Sequence, residues 1–172
     1  MDGKVIKNLD KHEGSITSVS FNPDGKLIAS GSEDRTLKLW NLQGKVVQNF
    51  RHPKTVDNIT FSSNGETIAS VYQSSSMWSD VTSFTNLWRF DGTLIKTIES
   101  QFNNSNTNIK FTVQKIKFSS DGKTIAIVSV PLTFEEENSI YVNMIEINTE
   151  NSRNFILEGH KNIPADISFS PE

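Results

Sequence analysis

Four stretches of the chain alternate apolar with polar residues, reach a phenylalanine, and break at a polar turn. The first is Ile16-Thr17-Ser18-Val19-Ser20-Phe21, followed by Asn22-Pro23-Asp24-Gly25. The pattern returns at Val56 to Phe61 before Ser62-Ser63-Asn64-Gly65, and at Val113 to Phe118 before Ser119-Ser120-Asp121-Gly122. A fourth start runs from Ile163 to Phe169. Period-2 alternation of this kind places one apolar face on a β-strand. Asp-Gly or Asn-Gly between two such runs signals a tight hairpin, because the turn needs a residue at positive φ. A second apolar run follows each turn: Leu27-Ile28-Ala29-Ser30, Thr67-Ile68-Ala69-Ser70 and Thr124-Ile125-Ala126-Ile127. A third includes Leu37-Lys38-Leu39-Trp40, Thr85-Asn86-Leu87-Trp88 and Tyr141 to Ile145, and a fourth Val46 to Phe50, Leu94 to Ile98 and Asn154 to Leu157. Helical periodicity is absent. The pattern predicts an all-β chain of four-stranded antiparallel meanders.

The unit recurs roughly every 40 to 60 residues, and self-similarity at such a period is the mark of a repeat architecture. It resembles the WD repeat, in which four strands make one blade of a β-propeller. The fullest copy runs from His12 to Trp40 and contains Ser32-Glu33-Asp34-Arg35-Thr36-Leu37-Lys38-Leu39-Trp40. The family's Gly-His pair stands intact at Gly159-His160, while Lys11-His12 and Arg51-His52 keep the histidine alone. Asn41 and Arg89 follow the two tryptophans where the family has aspartate. The resemblance implies a partial β-propeller with blades at about 16–50, 56–98 and 112–157, and orphan strands at 4–9 and 163–169. Propellers close with about 4–8 blades, so the expectation is a segment of a larger repeat protein.

The resemblance also implies a hydrogen-bonded brace within each blade. Its members are a histidine before the first strand, a serine on the second, an aspartate in the next turn and a tryptophan on the third. In the first unit these are His12, Ser30 or Ser32, Asp34 and Trp40. The second unit keeps His52, Ser70 and Trp88 without an aspartate, and Ile145 stands at the tryptophan position of the third. His160 holds the histidine position of the next. Burial makes such a set necessary, since an indole N–H and an imidazole taken out of water need partners.

Composition narrows the chemistry. The 172 residues hold no cysteine, which removes disulfides, thiolate metal sites and a cysteine nucleophile. Each histidine sits at the same point of a different repeat, so the three are not expected to converge on a metal. No catalytic residues and no cofactor are assigned. A net charge of −3 speaks against general nucleic-acid binding, which draws on clustered Lys and Arg. No apolar run approaches the roughly 20 residues of a membrane span, and a cytoplasmic setting is expected.

Long connections stand at 72–84, 99–112 and 130–139, and each follows an even-numbered strand of its unit. In a four-stranded meander those connections all leave from one end. Insertions on one face often mark a binding face. The candidate partner-binding residues are Met77, Trp78 and Asp80 in the first insertion, Phe102 in the second, and Phe134, Glu135, Glu136 and Glu137 in the third. The expected function is a protein–protein interaction scaffold. Its partners are other proteins, and further WD repeats of the same parent chain or of a second copy. The rivals are a propeller-type enzyme or small-molecule binder using the loop face, and a non-functional remnant.

Overall fold

A computed structural model describes residues 7–76, 79–100, 111–131, 140–147, 149, 152–157 and 167–170. The described residues contain no helix. They form three four-stranded antiparallel sheets, each a plain meander. The first holds β1 (Ile16–Phe21), β2 (Leu27–Ser32), β3 (Thr36–Asn41) and β4 (Val46–Arg51). The second holds β5 (Val56–Phe61), β6 (Thr67–Ser76), β7 (Ser79–Arg89) and β8 (Leu94–Ser100). The third holds β9 (Phe111–Phe118), β10 (Thr124–Pro131), β11 (Ile140–Glu146) and β12 (Ser152–Leu157). The three blades stack as an open partial propeller. At the turn after β1 it is Gly25 that takes the positive φ, 70°, while its N–H bonds the Asn22 carbonyl at 2.8 Å.

Registration of the blades comes from their inner strands. Thr17 on β1 donates to the Val56 carbonyl at the start of β5, and Asn22 Nδ2 donates to the Gly65 carbonyl just past its end. Ser63 repeats the contact one blade on, donating to the Ser119 carbonyl at 2.6 Å. Beginnings therefore lie beside beginnings and ends beside ends. The β2–β3, β6–β7 and β10–β11 connections all leave from one end of the stack.

Alternation gives every blade two faces. The back of the first blade offers Ala29, Leu37, Leu39 and Phe50, and the front of the second packs Val56, Ile59, Phe61, Ile68 and Trp88 into it. The back of the second offers Ala69, Val71, Leu87 and Ile98 to Ile116, Phe118, Ile125 and Ile145 of the third. The approach is close enough that a Cβ at Gly31 would lie 2.8 Å from Val56 Cγ1. Glycine there lets the second blade seat against the backbone of the first.

The outer faces differ. Val19 and Phe21 on the front of the first blade are 58% and 62% exposed, whereas their repeat equivalents Ile59 and Phe61 are 4% and 6% exposed. On the back of the third blade, Ile167 and Phe169 pack on a cluster of Ala126, Val128, Val130, Ile140 and Val142. The described parts of the expected orphan strands, 7–9 and 167–169, belong to none of the three sheets. Residues 167–169 contribute apolar side chains to the stack without joining a ladder.

One expectation needs correcting. The segment 72–84 is not simply a loop, because β6 and β7 continue past the blade's usual limit as a long hairpin. Tyr72 pairs with Phe84, Gln73 with Ser83 and Ser74 with Thr82. The rings of Tyr72 and Phe84 stack at 5.2 Å, and this cross-strand pair extends the ladder.

The same phenylalanine position should therefore matter very differently in two repeats. Phe61→Ala should cost about 3–5 kcal/mol, the range for emptying a buried aromatic site. Phe21→Ala should cost less than about 1 kcal/mol. Urea unfolding followed by circular dichroism measures both, and equal losses would mean the blades do not stack this way.

Candidate functional site

The first blade joins its marked residues into one network. Trp40 ends the alternating β3 and is wholly buried on the front face, opposite Ile28. Its Nε1–H donates to Ser30 Oγ at 2.8 Å. Ser30 Oγ also lies 2.6 Å from His12 Nε2, and His12 Nδ1 lies 2.8 Å from Asp34 Oδ2. One proton arrangement satisfies all four groups: Ser30 donates to Nε2, and Nδ1–H donates to the carboxylate. Ser30 is thus the serine that bridges histidine and tryptophan. Ser32 has a separate task, its Oγ accepting the Asp34 N–H at 3.1 Å in the β2–β3 turn.

Asp34 is saturated. Oδ1 accepts from the Thr36 N–H and hydroxyl, at 2.9 and 2.5 Å. Oδ2 accepts from His12, from the Glu13 N–H at 3.0 Å and from Lys38 Nζ at 3.5 Å. Burial pushes this carboxyl up, but the bonds from Thr36, His12 and Glu13 outweigh it and hold it well below its ordinary range. Thr36 and Lys38 went unnoticed in the sequence. The signal was available: they precede Trp40 by four and two positions on one strand, so period 2 puts all three on one face.

The serine, histidine and aspartate are connected as in a nucleophilic relay, yet the geometry is that of a brace. Ser30 is buried, and the oxygen that would attack already accepts the indole N–H.

The second blade repeats the core of the network and loses its end. Trp88 Nε1–H donates to Ser70 Oγ at 2.9 Å, and His52 Nε2 lies 2.7 Å from the same oxygen. The His52 ring meets Trp88 edge-on at 5.3 Å. With no aspartate, the buried His52 Nδ1 has no side-chain hydrogen-bond partner among the described residues. Burial drives the imidazole pKa down to about 4, against a weaker opposing effect of the Phe50 carbonyl. The third blade dispenses with the network. Register places Ile127 where Ser30 and Ser70 stand, and Ile145 where the tryptophans stand. Both isoleucines are buried, so serine and indole are replaced together and neither of these two positions leaves an orphan donor. His160 lies outside the described residues.

Beside the first brace, at the end from which the long connections leave, is a cleft of about 440 Å³. Arg35, Lys38, Asn49 and Arg51 line it, together with Glu13, Asp34, Thr36 and His52. Arg35 occupies the turn with φ of 65°, unusual for a side chain with a Cβ, and its carbonyl accepts the His52 N–H at 2.9 Å. Of the candidate partner-binding residues, Met77, Trp78, Phe102, Phe134, Glu135, Glu136 and Glu137 lie outside the described residues. Asp80 falls within β7. Among the described residues, no three His, Cys, Asp or Glu side chains gather as a metal site, and no helix is long and apolar enough to cross a membrane.

Residues 3–41 match the family described as WD domain, G-beta repeat. Protein HIR1 of Kluyveromyces lactis is 49% identical over 45 residues, which cover 26% of this chain and 5% of that protein. Eukaryotic translation initiation factor 3 subunit I of Phaeosphaeria nodorum is 32% identical over 71 residues, 41% of this chain and 21% of that protein. Target of rapamycin complex subunit LST8 of Saccharomyces cerevisiae is 32% identical over 66 residues, 37% of this chain and 22% of that protein. The matches span less than a quarter of each of these relatives.

The networks yield two expected outcomes. Ser30→Ala strands both the Trp40 indole and His12 and should cost about 2–6 kcal/mol in urea unfolding, at about 1–3 kcal/mol per buried group left unpaired. A cost near zero would mean the two groups find other partners. His52 governs a separate pH window. Its folded pKa lies below the ordinary 6.5, so the unfolded chain binds the proton first as pH falls. Stability is therefore full above pH 6.5, declines between 6.5 and about 4 by roughly 3 kcal/mol, and levels off below. Chemical denaturation at a series of pH values should show this decline in the native chain and its absence in His52→Gln.

Proposed function

We propose that this chain, a member of the WD-repeat family built as a partial β-propeller, acts as a section of a protein–protein interaction scaffold within a larger protein. The observation that carries the reading is the asymmetry between the two ends of the stack. The end holding the odd-to-even turns is filled by short hydrogen-bonded hairpins, such as those at Gly25, Gly65 and Gly122. The other end carries the lengthened β6–β7 hairpin, the cleft beside Arg35, and the end of β8 and start of β9 and the end of β10 and start of β11, between which the chain is longest. Connecting segments held by a rigid sheet are where binding function concentrates.

The resemblance to subunits of named assemblies supports the same reading. Two of the relatives are, by name, a subunit of a translation initiation factor and a subunit of the target of rapamycin complex. Their partners are not carried over. We assign the role to docking rather than catalysis, because the serine–histidine–aspartate set of the first blade is consumed in bracing it. We place the protein in the cytoplasm, on its cysteine-free sequence.

The lengthened hairpin provides the test. Replacing 75–81 by Asn-Gly joins Ser74 and Thr82, which already pair, through a two-residue turn. Affinity capture from lysate of the source organism, quantified by mass spectrometry, should show specific partners falling at least about tenfold, which is only about 1.4 kcal/mol. The melting temperature should move by no more than a few degrees, the equivalent of about 1 kcal/mol. Lys45→Gln at the opposite end should leave capture unchanged. Retention of every specific partner after the hairpin is shortened would remove the binding-end assignment.

A further inference from the structure

The cleft beside the first brace carries cationic groups that the fold itself does not use. Asp34, its buried carboxylate, has both oxygens filled by Thr36, His12, Glu13 and Lys38. Its charge is further offset by the Lys38 ammonium, itself buried, which donates to Thr36 Oγ at 2.9 Å. An ammonium has three N–H donors, and these two contacts leave Lys38 one to spare. Arg35 and Arg51 stand at the rim with exposed side chains, and among the described residues neither guanidinium has a hydrogen-bond or ion-pair partner. Asn49 adds an exposed amide, and Glu13 is the one exposed carboxylate lining the cleft.

From this surplus we propose that the cleft docks an acidic segment of a partner protein, with carboxylates meeting Arg35 and Arg51 and the Lys38 ammonium facing them from the floor. The inference rests on the interaction reading above and names the chemistry of the partner. Three features favour it. A guanidinium presents a planar fork of donors that matches a carboxylate with two parallel bonds. The two arginines also spring from fixed backbone. Arg51 pairs with Thr36 in the β3–β4 ladder, and Arg35, next in the chain to Thr36, is tied by its carbonyl to His52. Little backbone ordering is therefore left to oppose binding. The cleft, finally, opens at the end where the long connections emerge, so a partner on those connections can reach it.

A nucleic acid fits less well. Its affinity comes from several phosphate contacts along a basic stripe, whereas this is a single cleft in a chain of net charge −3. Carboxylates at Arg35 and Arg51 would sit largely in solvent, so their attraction should weaken steeply with salt.

The test uses the full chain and a fluorescein-labelled oligoglutamate peptide, read by fluorescence anisotropy at low and at physiological salt. Arg35→Asn with Arg51→Gln removes both guanidinium groups, and asparagine tolerates the positive φ at 35. Lys26→Gln with Lys45→Gln removes the same charge from turns at the opposite end. Circular dichroism confirms that both double variants fold. The expected result is saturable binding that the arginine variant weakens at least about tenfold, in line with the loss of charge-assisted bonds. The lysine variant should change it less than about twofold. Equal weakening by the two variants, no binding by the native chain, or tighter binding of a single-stranded oligothymidylate would each overturn the proposal. The arginine variant also enters the capture experiment above. Partners that depend on the 75–81 hairpin but not on the arginines would remove the acidic-segment inference and leave the scaffold reading standing. Loss of no partner in either variant would remove both.

Discussion

Face-to-face stacking of the sheets is the constraint on which the rest of the structure depends. A four-stranded meander with apolar residues on both faces cannot bury them by itself, and each blade here is of that kind. The second shows the solution. Its front side chains Ile59, Phe61 and Trp88 fill the back of the first blade, and its own back residues Val71 and Leu87 receive Phe118 and Ile125 of the third. The contact is direct enough to demand glycine at position 31, where Val56 presses against the backbone. Burial of roughly 25 cal/mol per Å² of apolar surface supplies the driving force. The individual blade is therefore a unit of repetition and not a unit of stability.

The polar braces make sense only inside that stack. Placing tryptophan on the third strand brings a large apolar surface into the interface together with an N–H that must be satisfied. Serine on the neighbouring strand accepts it, and histidine then links the serine to the connection that starts the blade. In the first blade Asp34 completes the set. In the second the set stops at His52, whose outer nitrogen has no side-chain partner among the described residues and whose pKa is driven down by burial. In the third, Ile127 and Ile145 replace serine and tryptophan together. Removing both partners of a buried bond is tolerated far better than removing one. The paired isoleucines thus keep to polar satisfaction at the brace positions, while the second blade departs from it at His52 Nδ1.

The sheets also divide the labour between the two ends of the stack. Ends with tight hairpins are occupied by backbone hydrogen bonds and by the inter-blade contacts of Asn22 and Ser63. The opposite end is free to vary in length. There the chain lengthens a hairpin, and there the cationic cleft lies. The turn holding Arg35 belongs to both worlds, since Asp34 braces the blade while its neighbour faces the cleft.

The sequence by itself determined the four strands of each blade and their meander order, while the brace around Trp40 followed from the family resemblance. Period 2 and the Asp-Gly or Asn-Gly turns are local signals, because side-chain direction and positive φ are properties of single residues and their neighbours. Local signals could not choose between Ser30 and Ser32, two positions apart on one face. Strand register chose, by setting Ser30 beside the strand that carries Trp40 and within reach of His12. The segment 72–84 deceived the sequence reading for a similar reason. Its serines and threonines look like loop, and only cross-strand pairing, with Tyr72 stacked on Phe84, turned them into a ladder. Exposure was likewise a tertiary outcome. Phe21 and Phe61 hold the same place in the same motif, yet one is open to solvent and the other is core. The cleft could not be read at all from the sequence. Arg35 and Arg51 are distant along the chain, and what joins them is the pairing of β3 with β4.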